Sequence, residues 1–381
     1  MVQTTFVYDP MTPGFQDRMH DDYRVMRDEV PVYHDPEGGF VALSRFDDVW
    51  NAVNDWRTFS SAGVQEADAL LPQMIYMDPP RHTALRGLVS RAFTPKRVMD
   101  LEGRIRTIAR ELLHRFVDEG RCDLVPAFAA PLPSTIAGEL IGVPEEHLEA
   151  FRSWTEQFIA ISGPDDFADA AAKIYSLFGE LLAERRRAPR DDLMSALLAA
   201  EVDGARLTDE ELLGFSFLLL IAGNDTTTSL IGNGAELLAR HPEQRRELID
   251  DVSLLPNAIE EMLRIEAPTQ VLPRTATRDV EVRGTVIPAG SRVLLIWGAA
   301  NLDDREFDDP ERFDIHRTIG RHLAFGHGPH YCMGAAFARL EGRVAFEELL
   351  RRIPDYELDG PAVRYPSSWA RAFETLPIRF G

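Results

Sequence analysis

The sequence predicts a mainly α-helical protein with a small β region, and three observations carry that prediction. Residues 46 to about 252 show mostly helical periodicity. Within them, the first half of residues 212–232 is apolar all round, which indicates a helix buried through the middle of the molecule. Residues 280–296 instead alternate and turn at Gly284 and at Pro288-Ala289-Gly290, as short β-strands do.

The remaining elements follow from local signals. Residues 30–45 predict two short strands around a turn that contains Asp-Pro and Gly-Gly. Helix starts are indicated at Thr94-Pro95, at Pro144-Glu145-Glu146 and at Thr208, where a glutamate three residues later forms a capping box.

Further helices are predicted at 257–266 and 335–350, separated by the β region and a loop rich in Asp, Pro and Arg. The last residues are expected to be irregular with short strands. With no repeat or long linker in the sequence, we expect a single domain over residues 1–381.

Composition is that of a globular protein with a substantial core, since 45% of the 381 residues are hydrophobic and 27% are charged. The net charge of −21, from 41 basic and 62 acidic residues, argues against non-specific binding of nucleic acid. Cys122 and Cys332 are too few for a disulfide framework and suit a reducing cytosol. The sequence shows no leader pattern and no apolar run long enough to span a membrane, so we expect a cytoplasmic protein.

The most informative segment is FGHGPHYCMG, residues 325–334, which places one cysteine in a glycine-rich loop before a helix. Gly326 and Gly328 allow backbone angles that let the loop fold tightly. Cys332 lies near a helix N-terminus, where free N–H groups and the helix dipole favour a thiolate. The absence of a nearby second cysteine excludes a paired zinc or redox site. A lone thiolate of this kind suits an axial ligand of haem iron, and a buried structural cysteine is the alternative.

Six positions of this loop match the pattern F-G-x-G-x-H-x-C-x-G: Phe325, Gly326, Gly328, His330, Cys332 and Gly334. The chain thereby resembles the cytochrome P450 superfamily, over essentially its whole length, and in particular its soluble bacterial members. The resemblance implies the cytochrome P450 fold, a prism-shaped domain with a long central helix over the haem. It also implies haem b as cofactor, Cys332 as the iron ligand and a monomer.

A second segment, AGNDTTT at 222–228, is predicted to interrupt the buried helix. Gly and Thr are unfavourable in a buried helix, and Thr hydroxyls can bond the carbonyl four residues back and bend it. A buried carboxylate here also needs a partner or a function. Taken alone, the segment could equally be a tolerated polar turn at a helix–helix contact.

The resemblance assigns roles to this segment, which matches the family pattern [AG]-G-x-[DE]-T. It implies that Thr226 hydrogen-bonds the oxygen ligand of the iron and that Asp225 relays protons from solvent. Ala222 and Gly223 would leave room above the haem for dioxygen and substrate. Asn224 receives no role, and the two threonines that follow Thr226 are expected on the helix surface.

Glu261 and Arg264 match the family motif E-x-x-R, and on a helix these positions can pair. Two other matches to this short motif lie in charged runs and are interpreted as solvated pairs. The resemblance selects Glu261 and Arg264, because Ala267-Pro268 and Pro273-Arg274 follow them at the spacing of the family. The resemblance implies a structural role on the cysteine side of the haem, with Arg312 completing the network.

The haem propionates need cations. His82 and Arg86 are i,i+4 neighbours on one helix face and match the family pattern D-P-P-x-H-x-x-x-R. Arg274 and His330 are the other two partners that the resemblance implies, since guanidinium forks match carboxylate geometry. Taken singly, each of these residues is more often a surface charge.

The implied function is a monooxygenase that hydroxylates a small lipophilic substrate with O₂ and two electrons. By family topology, the substrate is expected near residues 62–76, Ala222, Gln270–Leu272 and Phe373, which are mostly apolar. The sequence has no flavin or nicotinamide domain and no iron–sulfur cysteine set. A ferredoxin and an NAD(P)H-dependent ferredoxin reductase are therefore implied as partners.

Two basic stretches are candidates for docking that ferredoxin. Residues 81–99 contain five cations and no acid, and four arginines follow the ligand cysteine. The candidate side chains are Arg81, Arg86, Arg91, Lys96, Arg97, Arg339, Arg343, Arg351 and Arg352. A solvated helix face is the alternative interpretation of both stretches.

Three other functions stay open at this point. A haem-thiolate protein can be driven by peroxide or can couple substrates without oxygen insertion, and a haem protein can also act as a gas or redox sensor. The Asp225-Thr226 pair argues against the peroxide route, because peroxide-driven members of the superfamily usually lack it. The sequence also shows nothing that resembles the output domain of a sensor.

Overall fold

The structure is a computed structural model, and it describes residues 6–64, 70–90, 95–150, 153–154, 164–190, 192–202 and 205–381. Its helices are α1 (Phe15–Asp28), α2 (Phe46–Asn54), α3 (Arg81–Ser90), α4 (Pro95–Asp100), α5 (Glu102–His114), α6 (Pro131–Ile141), α7 (Pro164–Arg187), α8 (Leu193–Leu198), α9 (Asp209–Arg240), α10 (Pro242–Asp250), α11 (Leu255–Ile265), α12 (Trp297–Ala300) and α13 (Ala335–Arg352).

The strands are short and lie mostly in the second half of the chain. They are β1 (Val32–His34), β2 (Val41–Leu43), β3 (Phe59–Ser60), β4 (Arg121–Asp123), β5 (Glu201–Val202), β6 (Ala205–Arg206), β7 (Val271–Ala276), β8 (Val280–Val282), β9 (Thr285–Ile287), β10 (Arg292–Ile296), β11 (Tyr356–Leu358), β12 (Val363–Arg364), β13 (Phe373–Thr375) and β14 (Pro377–Phe380).

Among the described residues, one sheet has the strand order β1-β2-β10-β7-β3. In it β10 runs parallel to β2 and antiparallel to β7. A second sheet has the order β11-β14-β4, and three two-stranded ribbons complete the β structure. The prediction of a mainly helical fold with a small β region is therefore confirmed.

Most local predictions agree with the structure. The capping box is present, because Glu211 N donates to Thr208 Oγ1 at 3.2 Å and Thr208 N donates to Glu211 Oε2 at 3.0 Å. The start at Pro144 leads into a 3-10 turn, Glu145–His147. Thr94 lies outside the described residues, and α4 begins at Pro95. Strand β7 was not predicted, since Pro273 in its middle argues against a strand interior.

Helix α9 is the central element, and the predicted interruption at 222–228 is wrong. The helix is continuous over its 32 residues. Its second half is almost entirely buried, and it packs closely on α11 and α13. A Cβ on Gly234 would lie 2.6 Å from both Met262 Sδ and Phe346 Cζ, so this crossing requires a glycine.

The arrangement places α9 and the loop before α13 on one cavity, with β7 and β10 contributing a further wall. Among the described helices, none combines the length and the apolar character that crossing a membrane requires.

Candidate active site

The loop before α13 holds Cys332 at the wall of the cavity. Cys332 N donates to Phe325 O at 2.9 Å, which closes the loop on itself. Gly326 and Gly328 have φ angles of 63° and 67°, in the left-handed region that favours glycine. A Cβ on Gly328 would also lie 2.7 Å from Val53 O. The glycines found in the sequence are therefore required by the shape of this loop.

The surroundings of Cys332 act on the pKa of its thiol in opposite directions. Burial raises the pKa of the thiol, and the Gly334 N–H together with the charges of Arg86 and Arg339 offsets only part of that rise. Gly334 is the N-cap of α13, so the expected helix-terminus contribution is present but smaller than the effect of burial. A metal cation at the sulfur would remove the proton outright.

Across α9, Ala222, Gly223 and Thr226 line the same cavity as Cys332. Thr226 Oγ1 donates to Ala222 O at 2.8 Å. Ser229 Oγ makes the same kind of bond to the carbonyl four residues back, at 2.7 Å. A carbonyl oxygen has two lone pairs, so each can accept the hydroxyl in addition to its helical N–H, which explains why α9 remains unbroken.

Asp225 is buried, with 4% of its surface exposed, and its side chain is held by its neighbour. Asn224 Nδ2 donates to Asp225 Oδ1 at 3.1 Å, and Ser134 Oγ on α6 lies 2.6 Å from Asn224 Oδ1. Asn224 had no predicted role, yet it connects α6 to the predicted proton relay. Thr227 and Thr228 are also buried, contrary to the expectation of a helix surface.

The structure brings the predicted propionate partners together. His82, Arg86 and His330 line the cavity, and the rings of His82 and His330 lie 4.0 Å apart. Arg86 Nη2 donates to Tyr331 O at 2.6 Å, next to Cys332 in the sequence. Arg274, on β7, is 5% exposed and donates to its neighbour's carbonyl at 2.7 Å.

The electrostatics of this cluster favour an anion. Burial and the neighbouring Arg86 lower the pKa of His82 to about 4, and burial with the adjacent cations lowers that of His330 to about 3. Burial lowers the pKa of Arg274 to about 10. His82 Nδ1 is buried and has no hydrogen-bond partner within the part of the chain that the structure describes. The donor set therefore fits the carboxylates of a haem.

Behind the cysteine loop lies a fully buried ion pair. Arg264 Nε and Nη2 donate to the two oxygens of Glu261 at 2.7 and 2.8 Å, and both side chains are 0% exposed. Arg264 Nη1 donates to Asn301 O at 2.9 Å. Asn301 Oδ1 in turn accepts from Leu323 N at 2.7 Å, at the start of the cysteine loop. The predicted E-x-x-R pair thus connects α11 to that loop.

The prediction that Arg312 completes this network is wrong. Arg312 is exposed and bonds Asp309 and Asp314, both close in sequence. Arg317 takes the expected position instead, and its Nε donates to Glu261 Oε1 at 3.0 Å. The two arginines lie on the same loop, and its fold, which the sequence pattern does not show, decides which of them turns inward.

The cavity has a volume of about 1120 Å³ and a mostly apolar lining. This exceeds the roughly 300–1,000 Å³ of a typical ligand pocket, so a haem and a second molecule can share it. Phe325, the predicted cofactor contact, is among its lining residues.

The predicted substrate-side positions are largely on this cavity. Within 62–76, residues 65–69 lie outside the described residues, and six of the others form lining: Val64, Leu70, Gln73, Met74, Ile75 and Tyr76. Ala222, Val271 and Leu272 also form lining, whereas Gln270 and Phe373 do not. Ser368 and Trp369 do so in place of Phe373. They were missed because a loop rather than the neighbouring strand reaches inward.

Comparison with known proteins agrees with this site. The family model for cytochrome P450 matches residues 164–354. Cytochrome P450 monooxygenase PikC from Streptomyces venezuelae is 42% identical over 374 residues, covering 94% of this chain and 90% of PikC. Cytochrome P450 CYP109Q5 from Chondromyces apiculatus matches with a TM-score of 0.91 at 39% identity, over 98% of both chains. A mutant of P450 EryK in complex with erythromycin B matches with a TM-score of 0.91 at 38% identity, over 97% of this chain and 98% of the other.

The chain belongs to the cytochrome P450 family. It is accordingly an oxidoreductase, a monooxygenase whose chemistry depends on haem iron.

Proposed function

We propose that this cytochrome P450 uses haem b, ligated through Cys332, to insert one oxygen atom of O₂ into a C–H bond of a small lipophilic molecule. The observation that carries the proposal is a shared cavity. Cys332, the imidazoles of His82 and His330 and the hydroxyl-bearing Thr226 all line it.

Cofactor binding is assigned to three groups of residues. His82, Arg86, Arg274 and His330 hold the propionates, Cys332 binds the iron, and Phe325, Gly326 and Gly334 shape the loop around the sulfur. Once bound, the haem supplies activation of O₂, because a thiolate ligand pushes electron density toward O–O cleavage.

Proton delivery is assigned to Asp225 and Thr226. In the structure the Thr226 hydroxyl donates its hydrogen bond to Ala222 O, and rotation of the side chain would point that O–H into the cavity. Asp225 is the preceding residue. It is buried and accepts a hydrogen bond from Asn224, and we assign to it the transfer of a proton toward Thr226. Thr226→Ala should therefore consume electrons and release peroxide with little product, whereas Thr226→Ser should keep product and electron consumption coupled. Equal coupling in Thr226→Ala and the native enzyme would contradict this role.

The substrate is assigned to a lipophilic class because the described lining is mostly aliphatic and aromatic. The matched structure of a P450 EryK mutant is a complex with erythromycin B. Part of the cavity volume of about 1120 Å³ is assigned to haem, and the remainder is left for a small lipophilic molecule.

Electrons are assigned to a ferredoxin and its reductase. The structure changes the predicted docking surface, because several of its cations are already paired. Arg81 pairs with Glu211, and Arg86 faces the cavity. Arg339 pairs with Glu260, and both Arg343 and Arg351 pair with glutamates of α5 or α13.

The remaining candidate cations are Arg352, which is exposed, and those near α4. Arg91 lies outside the described residues, as do the side chains of Lys96 and Arg97. Electrostatic docking on this side predicts that reduction by a ferredoxin slows as ionic strength rises. A rate independent of salt would contradict it. We also assign the enzyme to the cytoplasm, since its two free cysteines suit a reducing compartment. The monomeric state is carried over from the resemblance to the family.

The test of the whole proposal is the optical spectrum of the reduced protein under carbon monoxide. Thiolate ligation should give a strongly red-shifted Soret band that is absent in Cys332→His. Cys122→Ser is the matched control and should keep that band, since Cys122 lies on β4 outside the cavity lining. A band of the ordinary imidazole–haem type in the native protein would overturn the assignment of Cys332.

A further inference from the structure

One wall of the cavity is built from two segments that are far apart in sequence. Ser368 and Trp369 line the cavity from the loop between β12 and β13, and Pro268 and Thr269 line it just before β7. The segments are joined by a bridge between Thr269 and Ala370. Backbone bonds from Gln270 N to the Trp369 carbonyl, at 2.7 Å, and from Arg371 N to the Pro268 carbonyl, at 3.0 Å, complete the joint.

This wall is fixed from behind by an ion pair. Arg371 donates through Nε and Nη2 to the two oxygens of Glu266, and the two side chains are 9% and 7% exposed. Glu266 directly follows α11 and lies two residues before the lining residue Pro268. The pair therefore joins the ends of both segments of the wall.

Helix α1 supplies the second fixing point. Gln16 Nε2 donates to Ser367 O at 2.8 Å and to Ala370 O at 3.3 Å, on either side of Trp369. Arg371 Nη1 donates back to Gln16 O at 2.7 Å. Trp369 packs against the hydrophobic cluster that contains the buried residues of α1.

Further groups surround the ion pair. Arg364 Nη2 lies 3.6 Å from Glu266 Oε2, and His20 Nε2 lies 3.7 Å from Glu266 Oε1. Burial alone would raise the pKa of Glu266, but the charges of Arg371 and Arg364 lower it to about 2. Asn233 of α9 donates to Arg371 O at 2.9 Å. Hydrogen bonds and ion pairs thus hold both the Arg371 side chain and the backbone on either side of Trp369, which fixes the position of Trp369.

We propose that Gln16, Glu266 and Arg371 are positioning residues that fix the Trp369 indole and so determine which molecules fit the far part of the cavity. They touch no substrate themselves and act through the loop that they hold. The proposal rests on the proposed function only in taking this cavity as the substrate site. It makes α1, which contributes no side chain to the cysteine loop, a determinant of specificity.

The position of Trp369 can be measured directly. The holoenzyme, reduced and bound to carbon monoxide, is labelled with 5-fluorotryptophan, and Trp369→Phe assigns one of the five tryptophan signals. Gln16→Ala and Glu266→Gln should shift or broaden the Trp369 fluorine signal and leave that of Trp56 unchanged. Arg18→Ala is the matched control, because Arg18 lies on the same helix but pairs with Asp22 at the surface. An unchanged Trp369 signal in both variants would overturn the proposal.

Two ligands of different length provide the functional readout. Imidazole and 1-dodecylimidazole both bind haem iron through nitrogen, but only the second extends through the cavity. In Gln16→Ala the dissociation constant of 1-dodecylimidazole should change by about 5-fold or more while that of imidazole stays within about 2-fold. Equal changes for the two ligands, or none for either, would overturn the positioning role.

Failure of the proposed function gives a different result. If the native protein contains no haem that binds imidazole or 1-dodecylimidazole, the haem-binding assignment is refuted. The fluorine signals of Trp369 would still report, in that protein, whether Gln16 and Glu266 hold the loop.

Discussion

Two buried ion-pair networks start from glutamates five residues apart, Glu261 on α11 and Glu266 just after it, and they connect different parts of the molecule. On the cysteine side, Glu261 pairs with Arg264 three residues away on α11. On the far cavity wall, Glu266 pairs with Arg371, which is 105 residues away. Both carboxylates are buried and both accept two bonds from one guanidinium. The first network fixes a helix to the neighbouring loop, whereas the second joins segments from the start, middle and end of the chain.

The difference indicates separate functions for the two networks. The bonds of Glu261 and Arg264 end at Asn301 and at the loop that carries Cys332, so they support the proposed cofactor side. The bonds of Glu266 end at the loop that carries Trp369, so they support the proposed substrate side. Each can therefore be broken while the other stays intact.

The largest effect is expected for Arg264→Ala. Among the described residues, it leaves the buried Glu261 only Arg317 as a counter-charge, and breaking a buried pair in this way costs about 3–5 kcal/mol. The free energy of unfolding in urea should fall by that amount, and the haem content of the purified protein should fall with it. Arg312→Ala is the control, since an exposed pair contributes at most about 1 kcal/mol. If Arg312→Ala lowered the free energy of unfolding as much as Arg264→Ala does, Arg312 would belong to the network, contrary to its exposed position.

Glu266→Gln tests the second network and should cost roughly 2–4 kcal/mol near neutral pH, because two cations lose their counter-charge. The pKa of Glu266 is lowered in the folded state to about 2. The stability that ionised Glu266 contributes is thus fully present at pH values above the ordinary pKa of glutamate, and it is lost as pH falls toward 2. The difference in unfolding free energy between native protein and variant should shrink from pH 6 to pH 3. A constant difference would indicate that charge on Glu266 does not matter. Haem content, unlike in Arg264→Ala, should stay near native.

A third buried carboxylate sharpens the comparison because it has no counter-charge. Glu341 on α13 is 0% exposed and makes no ion pair with any residue that the structure describes. Burial raises its pKa to about 8, with the Thr227 hydroxyl offsetting part of the rise. It is protonated at neutral pH, so its contribution to stability is full at low pH and is lost as pH rises through about 8.

Native protein should lose unfolding free energy at Glu341 as pH rises, whereas it gains unfolding free energy at Glu266. Glu341→Gln should remove the loss at Glu341. Relative to the native protein, the variant should gain about 2 kcal/mol of unfolding free energy between pH 5 and pH 7. Glu357→Gln, at an exposed pair with Arg379, is the matched control and should show no such trend. Parallel pH profiles of the native protein and Glu341→Gln would show that Glu341 is already ionised at neutral pH.

The two networks also show what could be predicted from the sequence. Glu261 and Arg264 were found because an i,i+3 pair on a helix is a local pattern, and the cysteine loop was found because its glycines and cysteine are contiguous. Glu266 and Arg371 were missed because no local pattern pairs residues from α11 and the end of the chain. Arg317 was missed for the same kind of reason: the turn of an irregular loop, and not its composition, decides which arginine points inward.

The smallest and most selective effects are expected at two glutamines, each of which bonds a loop that one of the networks holds. Gln16 donates to the carbonyls of Ser367 and Ala370, and Gln244 of α10 donates to Phe313 O at 2.9 Å and accepts from Ile315 N at 2.9 Å. Replacing either glutamine by alanine should cost about 1–2 kcal/mol, the value of one or two neutral hydrogen bonds.

The two alanine variants should have similar free energies of unfolding but should differ in haem retention and in ligand binding. Gln244→Ala loosens the loop that carries Arg317, so the protein should lose haem faster to an acceptor such as apomyoglobin. Gln16→Ala loosens only the loop of Trp369, so haem transfer should stay at the native rate while binding of the long imidazole changes. Accelerated haem loss in both variants would mean that the two networks act as one support, and the division between a cofactor side and a substrate side would then be incorrect.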